Sequence, residues 1–142
     1  MIYFDACYIA KFYLAEPDSA KVIAAAQDSA GVNCLLLGKA EVIAVFHRKL
    51  RENVVDEAGF RLLCDQFETD CLGGLWQWHP LDDVLLRSFS LRFRCLAATT
   101  YLRAADGLHL ACAAENGFAA VHTNDRHMID AAPAFGLQTV TL

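Results

Sequence analysis

At 142 residues the chain has the length of one domain, 1–142, enough to bury about 68% of its unfolded surface around a core. A composition that is 56% hydrophobic and 20% charged excludes disorder for most of it, and eight Gly and three Pro exclude a linker-rich or collagenous chain. The formal net charge of −5 excludes nucleic-acid binding by bulk charge alone; RNA or DNA contact needs a local basic rim or a bridging cation.

A short strand is expected over 2–4. Residues 5–15 place apolar groups at helical spacing and stop at Glu16-Pro17, because the residue before proline disfavours helix. A second helix spans 18–29, with Val22, Ile23 and Ala26 on one face, and Gly31 ends it. The apolar run 32–36 is a second strand. Helices follow over 38–52 and 56–71, then a strand over 76–81. Asp82 and Asp83 cap a helix running towards Ala98. Another helix covers 103–116, ended by Gly117. A fourth strand over 118–122, a short helix over 126–132 and a last strand over 138–142 complete the chain. Strands alternating with helices indicate an α/β fold with a mostly parallel sheet.

The first charge is acidic, Asp5, where a secretory signal would be basic, and no apolar run reaches the roughly 18 residues of a membrane span. A cytoplasmic protein without membrane contact is expected. The six cysteines (Cys7, Cys34, Cys64, Cys71, Cys95, Cys112) lie in apolar stretches without Cys-x-x-Cys spacing. They read as reduced, buried thiols rather than disulfides or a zinc site.

Ligands of open parallel sheets sit at the carboxyl ends of the strands. Asp5 follows the first strand, Glu41 lies in the first turn after the second, and Asp125 follows the fourth. Asp106 opens a helix that no clear strand precedes. Each acid alone suits a helix N-terminus, where carboxylates complement the dipole. Together they suggest more. Asp106 and Glu41 lie in apolar stretches where an unpaired charge is costly. Four clustered carboxylates would repel one another unless a hard divalent cation, Mg²⁺ or Mn²⁺, joined them. Such a centre hydrolyses phosphodiesters.

The motifs Phe4-Asp5-Ala6-Cys7, Lys39-Ala40-Glu41-Val42, Arg103-Ala104-Ala105-Asp106-Gly107-Leu108-His109 and Thr123-Asn124-Asp125 occur in this order. In that set the chain resembles a PIN-domain ribonuclease, above all the VapC-type toxin of type II toxin–antitoxin pairs. The resemblance spans essentially the whole chain. It implies a three-layer α/β/α fold with a central five-strand parallel sheet. It implies Asp5, Glu41, Asp106 and Asp125 as catalytic and metal-holding residues around Mg²⁺ or Mn²⁺. It further implies endoribonuclease activity on RNA, a homodimer, and an antitoxin covering the site, with DNA reached only through the antitoxin. One position departs from the family: a hydroxyl residue is usual two places after the first Asp, and Cys7 stands here. Support for Asp5 is then expected from Thr123.

Other residues have two readings. Cys7 is a core or supporting thiol rather than a nucleophile, since a Cys-x5-Arg phosphatase loop would need arginine where Tyr13 stands. His109, one turn after Asp106, is a packed core histidine or faces the metal. Thr123 and Asn124 support the site or simply form a turn. Arg92, Arg94 and Arg103 are a solvated helix face or the basic rim for RNA. Tyr8, Phe12 and Tyr13 suggest an exposed apolar stripe for an antitoxin helix. Two further functions stay open: a PIN-family nuclease of general RNA processing without an antitoxin, and a non-catalytic PIN-like module binding a metal or a basic peptide.

Overall fold

The computed structural model describes residues 1–142. Its first strand lies in the middle of the sheet. Five strands, β1 (Ile2–Phe4), β2 (Val32–Leu35), β3 (Trp76–His79), β4 (Ala120–His122) and β5 (Gln138–Val140), run parallel in the order β3-β2-β1-β4-β5. Parallel strands are buried on both faces, so their side chains alternate between two apolar clusters. Phe4, Val32, Cys34 and Trp76 face one way and pack under α1 (Ala6–Tyr13), α3 (Gly38–Arg51) and α4 (Glu57–Leu72). Tyr3, Leu35 and Val121 face the other way, under α5 (Asp83–Arg94), α6 (Ala104–Glu115) and α7 (Arg126–Ala131) with the 3₁₀ turn Ala132–Phe135. Helix α2 (Ser19–Asp28) lies against α1 and adds Val22 to the first cluster. The result is the expected three-layer α/β/α sandwich.

Side-chain caps start several helices. Asp5, Asp56, Asp82 and Asp125 accept backbone N–H groups at the heads of α1, α4, α5 and α7. Several boundaries differ from the sequence reading: α1 stops at Tyr13, not residue 15, and β5 at Val140, not 142. Helix α5 stops at Arg94, not Ala98, because Cys95 and Leu96 N–H close a tight turn onto Arg92 and Phe93 carbonyls. The third strand stops at His79, before Pro80, and the fourth begins at Ala120. All six cysteines are free, but only Cys34 and Cys112 are buried; Cys7 and Cys95 are exposed, contrary to the expectation for them. No helix is long and apolar enough to cross a membrane.

The order of strand addition reverses at β1: β2 and β3 lie on one side of it, β4 and β5 on the other. The carboxyl ends of β1 and β4 therefore open a crevice at the switch point, where side chains from several elements can meet.

Candidate functional site

Asp5, Glu41, Asp106 and Asp125 line one cavity of about 240 Å³ at that edge, with Arg103, His109 and Cys7 in its wall. Asp5 and Asp106 are buried. Each acid is held by other groups of the protein.

Asp5 caps α1, Oδ1 accepting Tyr8 N–H at 2.8 Å, and its Oδ2 accepts the Thr123 hydroxyl. The same Thr123 oxygen takes the Asp125 N–H at 3.0 Å. One hydroxyl thus ties the ends of β1 and β4 together. Burial pushes the Asp5 pKa up, and the Thr123 and Tyr8 hydrogen bonds oppose that rise. Asp125 likewise caps α7, Oδ1 accepting His127 and Met128 N–H at 2.8 and 3.2 Å. The helix-cap reading is therefore true of both residues. It occupies one oxygen of each and leaves the other turned to a second partner.

Arg103 is the partner that joins two acids. Its Nε donates to Asp106 Oδ2 at 2.7 Å, and its Nη2 reaches Asp106 Oδ1 at 3.3 Å and Asp125 Oδ2 at 3.0 Å. The Asp106 hydrogen bond and charge, with Asp125 beyond, raise the Arg103 pKa, so the guanidinium stays charged.

Glu41 is held from behind. His109 is 2% exposed, and its Nε2 lies 2.6 Å from Glu41 Oε2. Its Nδ1 is 3.1 Å from the Tyr3 hydroxyl, which accepts Leu35 N–H at 3.0 Å. His109 thus links the Tyr3 hydroxyl on one side to Glu41 on the other. His109 is both a packed core residue and a contact of the site.

The carboxylates share a cavity without forming a ligand shell: no three acidic, histidine or cysteine side chains are gathered to hold one ion. The physical reason is electrostatic. Like charges separate and take the hydrogen-bond donors within reach, here Thr123, Arg103 and His109. Cys7, exposed overall, has its thiol pushed up to about 12, first by desolvation and then by Asp5, Glu41 and Asp125, with Arg48 opposing the rise.

Other sequence-derived candidates lie elsewhere. Asn124 is exposed and lines a separate small recess with Lys11 and Arg48. Arg92 is a structural tie, donating to Phe135 O and Glu115 at 3.1 Å each, and Arg94 is exposed on α5; neither lines the cavity. The expected exposed stripe on α1 is not formed. Tyr8 is fully buried against Phe4, and Phe12 and Tyr13 are half-buried around Trp76. A helix covered by α2 and α3 offers no continuous apolar stripe; of its aromatic residues Tyr13, at the C-terminal end, lines an open cavity.

The sequence reading missed the two ties that organise the acids. Arg103 sits three residues before Asp106, a spacing that pairs side chains on a helix, so this signal was available. The His109–Glu41 pair joins two helices distant in sequence and left no local mark.

No family model and no curated protein matches the chain. Among solved structures, FitAcB from Neisseria gonorrhoeae superposes with a TM-score of 0.71 at 19% identity, over 98% of this chain and 96% of that one. FitAB bound to an IR36 DNA fragment superposes with a TM-score of 0.69 at 17% identity, over 99% and 94%. Nearly the whole chain is therefore a PIN-like α/β/α fold, its acidic cavity opening at the carboxyl edge of the sheet.

Proposed function

We propose that the chain is a Mg²⁺- or Mn²⁺-dependent endoribonuclease acting as the toxin of a type II toxin–antitoxin pair. One observation carries this reading. Asp5, Glu41, Asp106 and Asp125, from separate elements, converge on a single small cavity whose only lysine or arginine is Arg103. The donor set fits a hard divalent cation: it is all oxygen, and its negative charge exceeds what one guanidinium offsets. The four carboxylates would hold the cation, which when bound polarises the phosphate and stabilises the leaving oxygen.

The chain's own residues supply the rest. Thr123 and Tyr8 N–H fix the Asp5 carboxylate, and His109 fixes Glu41 through Oε2, leaving Oε1 for the cavity. The Arg103 side chain, 57% exposed, places a permanent positive charge at the mouth and draws a phosphate toward an otherwise repelling wall. An antitoxin finds a better groove away from the α1 face. A cavity of about 560 Å³ lies between the ends of α1 and α3 and the flank of α4, lined by Tyr13, Val54, Leu62 and Leu63. The DNA-bound state of the FitAB neighbour supports an assembly that reaches DNA through a partner. A homodimer belongs to the same reading.

The test is cleavage of a mixed cellular RNA pool by purified protein in Mg²⁺ or Mn²⁺, repeated in EDTA and with Asp106→Asn. Cutting should need the metal, and the variant should lose it while keeping its circular dichroism and melting within a few degrees of wild type. Cleavage surviving in EDTA or in the variant would overturn the proposal.

A further inference from the structure

Every Phe, Tyr and Trp of the chain is at least partly buried except one. Tyr101 is 62% exposed, and it stands beside the acidic cavity. Its position is built. The buried Leu102 anchors the extended segment entering α6, so its neighbours Tyr101 and Arg103 turn outward together. Arg103 is the residue bridging Asp106 and Asp125.

The Tyr101 ring is held by His127, which lies between Arg126 and the cavity-lining Met128. Its centroid lies 4.7 Å from that of His127, with the planes at 68°. His127 is itself exposed, and its backbone N–H caps Asp125 Oδ1 at 2.8 Å. Each ring of the pair is thus two residues from a group in the site, one on the Arg103 side and one on the Asp125 side. An edge-to-face pair leaves ring faces uncovered, unlike a parallel stack. An exposed tyrosine ring is costly to hydrate and gains from a planar partner. Arg126, 88% exposed, adds positive charge between Asp125 and His127.

We infer that Tyr101, braced by His127, is a stacking platform for an unpaired nucleobase next to the phosphate that enters the acidic cavity. The inference rests on the nuclease reading and deepens it: the substrate is single-stranded at that nucleotide, because a paired base has no free face to offer. Aromatic rings recognise unpaired bases in this way, tolerant of sequence. The site then grips its substrate twice, through charge at Arg103 and through stacking at Tyr101. This is how an acidic chain can hold RNA without a basic surface.

The probes are single-stranded hexaribonucleotides carrying 2-aminopurine at each position in turn, whose fluorescence is quenched by stacking. They are mixed with the protein in Mn²⁺ by stopped flow and read before cleavage, beside the same strands annealed to a complement. Wild type should quench one position in the single strand and none in the duplex. Tyr101→Ala should lose that quench and bind roughly 5- to 100-fold more weakly, the range seen when one stacking ring is removed. Tyr101→Phe should retain both, and His127→Ala should fall between them. Equal quenching and affinity in Tyr101→Ala would overturn the platform, as would wild-type binding that quenches no position. Neither result would touch the nuclease reading. Wild type that binds no strand in Mn²⁺ would overturn both.

Discussion

Asp5 divides its two oxygens between two tasks. Oδ1 closes the first turn of α1, and Oδ2 takes the Thr123 hydroxyl across the switch point. Asp125 repeats this with α7 and Arg103. Helix capping and site building are thus one use of the residue, not rival explanations. That is why the four acids were legible in the sequence although each could be dismissed as a cap. Thr123 was legible as the support of Asp5, but His109 and Tyr3 acquire meaning only when distant segments meet. At this scale His79 makes a sign-definite prediction. Its Nε2 lies 3.0 Å from Asn33 Oδ1, and burial pushes its pKa below the ordinary 6.5. The unfolded chain therefore binds the proton first. Stability is full above about pH 6.5 and is lost as pH falls through the lower folded value. Urea unfolding at pH 8 and pH 5.5 should show this loss, and His79→Gln should reduce it; an equal loss in the variant would exonerate His79.

Among the elements, the spacing of α1 predicts a helix over 5–15, and the helix ends two residues earlier, at Tyr13. Periodicity cannot say how many neighbours will cover a helix, and here α2 and α3 leave no continuous apolar stripe open. Tyr13 instead binds three elements together. Its hydroxyl donates to Asp70 on α4 at 2.8 Å and accepts from the indole N–H of Trp76 on β3 at 2.7 Å. Tyr13→Phe keeps the ring and leaves that N–H unpaired, which costs about 1–3 kcal/mol. Equilibrium denaturation should lower the midpoint accordingly. An unchanged midpoint would mean that water replaces the hydroxyl. The boundaries that failed have local causes. Pro80 cannot continue a strand, and the turn at Cys95 frees the segment that carries Tyr101 and Arg103 to the sheet edge.

For the whole molecule, charge sets the terms of binding. On the proposed nuclease reading, a net −5 chain that contacts phosphate through Arg103 and a few neighbours would neutralise two or three phosphates, not a long backbone. The slope of log affinity for single-stranded RNA against log salt should then be shallow, about −2 at roughly 0.7 per contact. A slope of about −5 or steeper would mean that further exposed basic residues, such as Arg48 and Arg126, join the contact. The sheet order also fixes when activity can begin. Asp5 meets Thr123 only after a separation of 118 residues, and β1 stays unpaired on one side until β4 arrives. The first residue of the site to leave the ribosome therefore waits for one of the last. Contacts of such long range form late in folding. A chain interrupted between α3 and β4 holds Asp5 and Glu41 but lacks β4, Thr123 and Asp125, so it has no crevice in which the proposed chemistry could start. On the toxin reading proposed above, the topology acts as a timer, withholding the chemistry until synthesis is nearly complete.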